Sequence, residues 1–141
     1  AGMVAIEKIK SGDKVISTDP ETMETSPKTV LETYIREVTT LVHLTVNGEE
    51  IVTTVDHPFY VKNQGFIKAG ELIVGDELLD VNGNVLLVEK FNVELTDEPT
   101  TVYNFQVEDF HTYHVGEIGV WVHNASCKVN KKVGENYDQR F

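Results

Sequence analysis

VGEIGVWVHN, residues 115–124, is an apolar, strand-like run that stops on a histidine–asparagine pair. An asparagine side-chain amide can attack its own backbone carbonyl, close a five-membered succinimide ring and expel whatever follows it. A neighbouring imidazole can donate to the carbonyl oxygen or supply the proton the departing amine needs. Asn124 is therefore a candidate for breaking the Asn124–Ala125 bond, with His123 as its partner. One difficulty is sidedness. Successive side chains on a strand point to opposite faces, so His123 and Asn124 share a pocket only if the strand ends there.

Working outward, the segment VYNFQVEDFHTYHV (102–115) carries Asn104, His111 and His114. Further upstream, TTVDHPFYV (53–61) carries Thr54 and His57 in a T-x-x-H spacing. Pro58 fixes its own φ and biases His57 toward extended geometry, a rigid mount for an imidazole. On a strand Asp56 is expected to point away from His57, and His114 to face away from the candidate site. His43, within TLVHLTV, reads as a polar-face strand residue.

Most of the remaining chain consists of short β-prone runs separated by turn signals. AIEKI (5–9), KVISTD (14–19), TVLETYIREV (29–38), TLVHLTV (40–46), EEIVTTV (49–55), FYVKN (59–63) and VLLVEKFNVEL (85–95) all suit strands. Asn47-Gly48 and Asn82-Gly83 read as type I′ hairpin turns, where both central residues need positive φ, and Pro20 marks another turn. Helical periodicity is thin: AGELIVG (69–75) suits one short turn at most. IEKIKSGDKVIS (6–17) and AGELIVGDELLD (69–80) align on Gly12-Asp13 and Gly75-Asp76. This internal echo implies one Gly-Asp turn feeding an apolar strand, used twice.

The ordered blocks GMVAIEKIKSGDKVIST (2–18), TTVDHPFYV, VYNFQVEDFHTYHV and the terminal His123-Asn124 resemble those of Hint domains. These are the self-processing family of inteins, bacterial intein-like domains and hedgehog autoprocessing domains. The similarity is closest to the bacterial intein-like group and to the Hint domains that precede toxins in polymorphic toxin precursors. The resemblance implies an all-β, horseshoe-like Hint fold with pseudo-two-fold related halves over residues 1–124, with 125–141 a mobile C-terminal flank. It also implies roles. Asn124 cyclises, His123 and His111 assist, and Thr54 and His57 act on an N-terminal scissile bond. Asn104 stands where many inteins carry an aspartate; an amide has no acid–base role but can orient a partner by hydrogen bonds.

Two positions depart from the family pattern. No cysteine or serine aligns with the family's N-terminal nucleophile; Ser11 and Ser17 are out of place, and that segment is expected either to precede Ala1 or to be supplied by a separate piece. Ala125 cannot accept an acyl group, and Ser126 and Cys127 are out of register. The expectation is autocatalytic, single-turnover cleavage in cis at Asn124–Ala125, with N-terminal chemistry only when an upstream Cys- or Ser-bearing segment is supplied. The alternative is a catalytically silent β scaffold presenting its C-terminal flank. A third reading, metal binding through His57, His111, His114 and His123, lacks compact ligand spacing.

Composition narrows the partners. In 141 residues the formal net charge is −11, whereas phosphate binding needs clustered Lys and Arg; nucleic acid is not an expected partner. No apolar run is long enough for a membrane-spanning helix. A monomer without cofactor or metal is expected. The single cysteine fixes no compartment.

Overall fold

The computed structural model describes residues 3–124. The readings made for the 125–141 flank, including Ala125 and Cys127, fall outside the described residues. The strands are β1 (Lys14–Thr18), β2 (Thr25–Val46), β3 (Glu49–Thr53), β4 (Pro58–Val61), β5 (Gly65–Lys68), β6 (Glu77–Leu79), β7 (Val85–Val107), β8 (Thr112–Val115) and β9 (Val120–His123). The sheet runs β1-β2-β7-β6-β4-β9-β8, with β3 beside β2 and β5 beside β4. Its two ends approach each other. The Ser17 and Thr112 hydroxyls of β1 and β8 lie 3.0 Å apart, and Thr112 Oγ1 donates to the Thr18 carbonyl at 2.7 Å. The all-β expectation holds.

Several local readings change. TVLETYIREV and TLVHLTV are one strand, because Val38-Thr39-Thr40 holds no turn former and suits extended backbone. β7 likewise runs on through the TDEP stretch. There Val38 pairs with Thr100 and Thr40 with Leu95, so residues 96–99 bulge out of the ladder around Pro99, which has no N–H to offer. AIEKI is not a strand; Ile6–Lys8 forms a 3-10 turn. Asn47-Gly48 is the expected two-residue turn, with φ of 46° and 87°. Asn82-Gly83 is not: only Gly83 has positive φ. The loop between β6 and β7 is instead organised by Asp80, whose Oδ1 accepts from the Asn82 and Asn84 N–H groups at 2.8 Å each.

The internal echo is a structural repeat. Each copy opens with a 3-10 turn, Ile6–Lys8 or Ala69–Glu71. Gly12 and Gly75 follow with φ of 95° and 99°, a conformation glycine adopts without steric cost. The Gly12 N–H donates to Val30 O and the Gly75 N–H to Val88 O, both at 2.8 Å; Val30 and Val88 donate back to Asp13 O and Asp76 O. Asp13 and Asp76 accept from the third residue before them, Lys10 N–H at 3.0 Å and Ile73 N–H at 2.9 Å. Both valines are fully buried. The two halves thus enter one core through the same turn.

That core includes Val42, Leu44, Val46, Phe59, Leu78, Phe105, Val120 and Val122, drawn from both halves. At its centre β4 pairs with β9 through Phe59↔Val122, and β8 with β9 through Thr112↔His123. Antiparallel counting from these pairs sets His57 across from Asn124 on one side of β9 and His111 across from it on the other. Residues 67 and 13 positions away in the chain converge by register alone.

Candidate functional site

Trp121, Val120 and Val122 are all buried, so β9 is covered on both faces until it ends. Trp121 stacks on Tyr60 at 4.3 Å, and two residues on His123 lies edge-on to Phe66 at 5.0 Å. The strand stops at His123. Asn124 is then held from behind: its N–H donates to His111 O at 2.8 Å, and its side chain is buried. His111 can face it this way because its own φ is +61°, a left-handed turn residue at the start of β8.

The sidedness problem dissolves in this geometry. His123 does not reach the Asn124 side chain; its Nδ1 lies 2.8 Å from the Asn124 backbone oxygen. A carbonyl oxygen only accepts, so Nδ1 carries the hydrogen and Nε2 is bare in the neutral ring. Burial lowers the His123 pKa to about 4, against the opposing pull of that carbonyl, with His111 lowering it further. The ring is neutral at pH 7 and aims one N–H at the oxygen that becomes negative if the carbonyl is attacked. Asn124 Oδ1 is buried with no hydrogen-bond partner among the described residues. Such a group costs about 1–3 kcal/mol, and functional sites are where that cost is tolerated.

The exposed His111 ring stands 6.2 Å from the His123 ring, centroid to centroid. His114 is elsewhere: Nε2 bonds Thr18 Oγ1 and Nδ1 bonds Gly119 O, both at 2.9 Å. The four-histidine metal reading therefore loses one member. No cluster of three metal-ligating side chains occurs among the described residues.

A second corner surrounds His57. Thr54 Oγ1 donates to Asp56 Oδ1 at 2.9 Å, and Arg36 Nη2 contacts both Asp56 oxygens at 2.9 and 3.2 Å. The Asp56 carboxylate turns back onto the Thr54 hydroxyl and pairs with Arg36. The 3-10 turn at Ala69–Glu71 braces the loop: Ala69 N–H donates to His57 O at 2.9 Å and Gly70 N–H to Val55 O at 2.8 Å. A Cβ on Gly70 would stand 2.6 Å from Val55 Cγ1. Burial lowers the His57 pKa to about 4, against the attraction of Asp56 and with help from the nearby His123. His57 Nε2 is 3.5 Å from Tyr113 Oη, and that hydroxyl donates to Asn104 Oδ1 at 2.8 Å. An open groove of about 590 Å³ borders Thr54, lined also by Arg36, Val38, Asp56 and Pro99.

The structure therefore gathers Asn124, His123, His111 and His57 about the end of β9, with Thr54 on the His57 loop and Asn104 linked to His57 through Tyr113. Tyr113, Phe66, Asp56 and Arg36 were missed as site residues. Tyr113 had a visible signal, standing two residues after His111; nothing in the sequence ties Arg36 or Phe66 to the site.

Residues 1–125 match the family model described as the pretoxin HINT domain. The chain belongs to the pretoxin HINT family. This HINT domain is 65% identical to the bacterial intein-like domain from Clostridium thermocellum, with a TM-score of 0.85 over 87% of this chain and 89% of that one. A variant of the Ssp DnaB mini-intein shares the fold at 14% identity, with a TM-score of 0.70 over 87% of this chain and 84% of its own. An uncharacterized protein of Methanocaldococcus jannaschii is 38% identical over 77 residues, which is 52% of this chain but 11% of that protein. Membership makes this a self-processing, splicing-type domain on the Hint fold.

Proposed function

We propose that this HINT domain breaks its own chain at Asn124–Ala125 by asparagine cyclisation. The observation that carries the reading is the 2.8 Å contact between His123 Nδ1 and the Asn124 carbonyl oxygen. Asn124 Nδ2 attacks its own carbonyl carbon, forming a C–N bond and pushing charge onto the oxygen that His123 faces. Collapse of that intermediate breaks the bond to Ala125. One proton leaves Nδ2 and one must reach the departing nitrogen; His111, exposed beside His123, is placed to carry both. The products are a chain ending in succinimide and a free amine at Ala125. A donor aimed at a developing oxyanion is worth about 10²–10³ in rate. Holding the amide in a near-attack pose contributes roughly 7–11 kcal/mol.

Thr54 and His57 serve a second bond, upstream, as the T-x-x-H resemblance implies. The groove beside Thr54 gives an upstream peptide room to lie. That chemistry needs a Cys- or Ser-bearing segment ahead of Ala1. The domain occupies 1–124, and 125–141 is its first cargo; both act in cis, as a monomer.

Intact-mass spectrometry of the purified chain at neutral pH, with and without thiol, tests the reading. A thiol-independent pair of fragments splitting at Asn124–Ala125, the larger ending in succinimide, is the expected result. A single unchanged mass over hours would favour the silent scaffold.

A further inference from the structure

We propose that Tyr113 is a positioning residue that commits neutral His57 to a single tautomer, with the proton on Nε2, leaving the Nδ1 lone pair as the face His57 presents to a peptide bond. The proposal rests on the reading of His57 as a group acting at the upstream bond.

The chain of reasoning starts at the backbone. Phe105 N–H donates to Asn104 Oδ1 at 2.8 Å. This identifies which end of the Asn104 amide is oxygen, since an N–H could not donate to the amide nitrogen. The Tyr113 hydroxyl lies 2.8 Å from that same oxygen. An amide oxygen accepts only, so the hydroxyl is the donor and its one hydrogen points at Asn104. Only lone pairs remain on Tyr113 Oη, and His57 Nε2 stands 3.5 Å away. Two facing lone pairs would repel, so Nε2 bears the hydrogen. The contact is long, and catalytic hydrogen bonds of this kind tighten when substrate binds.

The surroundings hold the relay in place. Tyr113 is 2% exposed. Its ring packs at 4.2 Å on Phe105, the residue whose N–H orients Asn104, and meets the His57 ring edge-on at 6.1 Å. Burial raises the pKa of the Tyr113 hydroxyl, which keeps it a donor. His57 is held neutral by its own burial and so has one N–H to place. The relay also gives Asn104 a purpose: an amide oxygen accepts from both donors without adding a charge that would raise the imidazole pKa.

The test is nitrogen-15 NMR of the histidine rings at pH 7, read in an Asn124→Ala background so that no cleavage is required. In the parent chain His57 is expected to show a protonated Nε2 and a bare Nδ1. Tyr113→Phe keeps the ring and its packing; the His57 Nε2 proton should then exchange with solvent roughly five- to tenfold faster, the factor one hydrogen bond is worth. Asn104→Ala releases the Tyr113 hydrogen to turn toward His57, and the Nδ1–H tautomer should appear. Asn104→Asp keeps an acceptor and should preserve the parent tautomer. A parent spectrum with the proton on Nδ1, or a His57 ring that responds to neither Tyr113→Phe nor Asn104→Ala, overturns the proposal. The spectra stand apart from cleavage, so failure of the upstream chemistry would leave this result readable by itself.

Discussion

The two corners that flank the end of β9 are built from the same residue type by different means. The His57 ring meets a side-chain relay, Tyr113 backed by Asn104, and the neighbouring Thr54 is held by Asp56, itself paired with Arg36. His123 and Asn124 are placed by main chain, through the Asn124 carbonyl and the His111 carbonyl. Both imidazoles are neutral, with pKa lowered to about 4 by burial. The proton on His123 sits on Nδ1, and the proposed tautomer of His57 puts it on Nε2. The difference teaches that one frame can hold two neutral imidazoles by different partners. The Gly-Asp turns of the two halves match bond for bond, yet the rings at the two corners meet different kinds of partner. A main-chain-wired corner should respond to loss of the reacting groups themselves, and a side-chain-wired corner to changes in its surroundings.

The largest effect expected is at the main-chain corner. Asn124→Ala should abolish release of the segment beginning at Ala125, scored by mass spectrometry; persistent release would remove cyclisation from the mechanism. Next, His111→Ala should slow single-turnover cleavage by about 10²–10⁴-fold if it carries protons, and His123→Ala by about 10²–10³-fold as an oxyanion donor. The pH profile separates those roles. As a neutral Nδ1–H donor His123, with its pKa lowered to about 4, adds no break of its own at neutral pH; a rate falling tenfold per pH unit from 4 upward would mean that protonated His123 is required instead.

Gly70→Ala should break the comparison from the other side. The new methyl group drives into Val55 and should cost about 1–3 kcal/mol in urea unfolding. Local backbone strain at the His57 loop should leave the Asn124 corner cleaving at near its usual rate. Equal loss at both corners would show that they are mechanically one.

Acid should weaken the whole fold. Unfolded histidine titrates near 6.5, while folded His57 and His123 titrate near 4. Between those values the unfolded chain binds more protons, so stability is fully present above about 6.5 and falls as pH drops toward 4. The ceiling is roughly 3 kcal/mol per imidazole, since a pKa unit is about 1.4 kcal/mol and both rings keep some contact with water. Calorimetry across pH 7 to 4 measures it. The smallest effect belongs to half-buried His43, clasped between Glu94 at 2.7 Å and Glu50 at 3.1 Å, which raise its pKa. His43→Gln should change stability by less than about 1 kcal/mol. What His43 contributes is present below 6.5 and lost as pH rises through its raised folded value, opposite in sign to the buried pair.

Much of this was legible in the sequence because it depends on local rules. Period-two alternation separates Val42, Leu44 and Val46, all fully buried, from His43 and Thr45. Asn47-Gly48 dictates its turn, and the Gly-Asp echo marks the repeat. The length of β2 and β7 was not legible: residues 31–37 of β2 are exposed on both faces, so no buried pattern announces that the strand continues. Arg36, at position 36 on that exposed ribbon, reaches Asp56 only because β2 passes the His57 loop. Tyr113 is a core residue; its proposed second function depends on which atom its hydroxyl proton faces.

Because β9 is clasped on both sides by β4 and β8, the proposed break after Asn124 would leave the pairing of these strands in place. The newly made imide would remain tucked in the interior, sheltered from the water that opens such rings. A spent copy would then carry a chemical date stamp, one water lighter than its hydrolysed form and fading more slowly than the same ring on a free peptide. Unfolding cleaved protein in urea should start that clock; an imide that opens equally fast before and after unfolding would show that the end of β9 gives it no shelter.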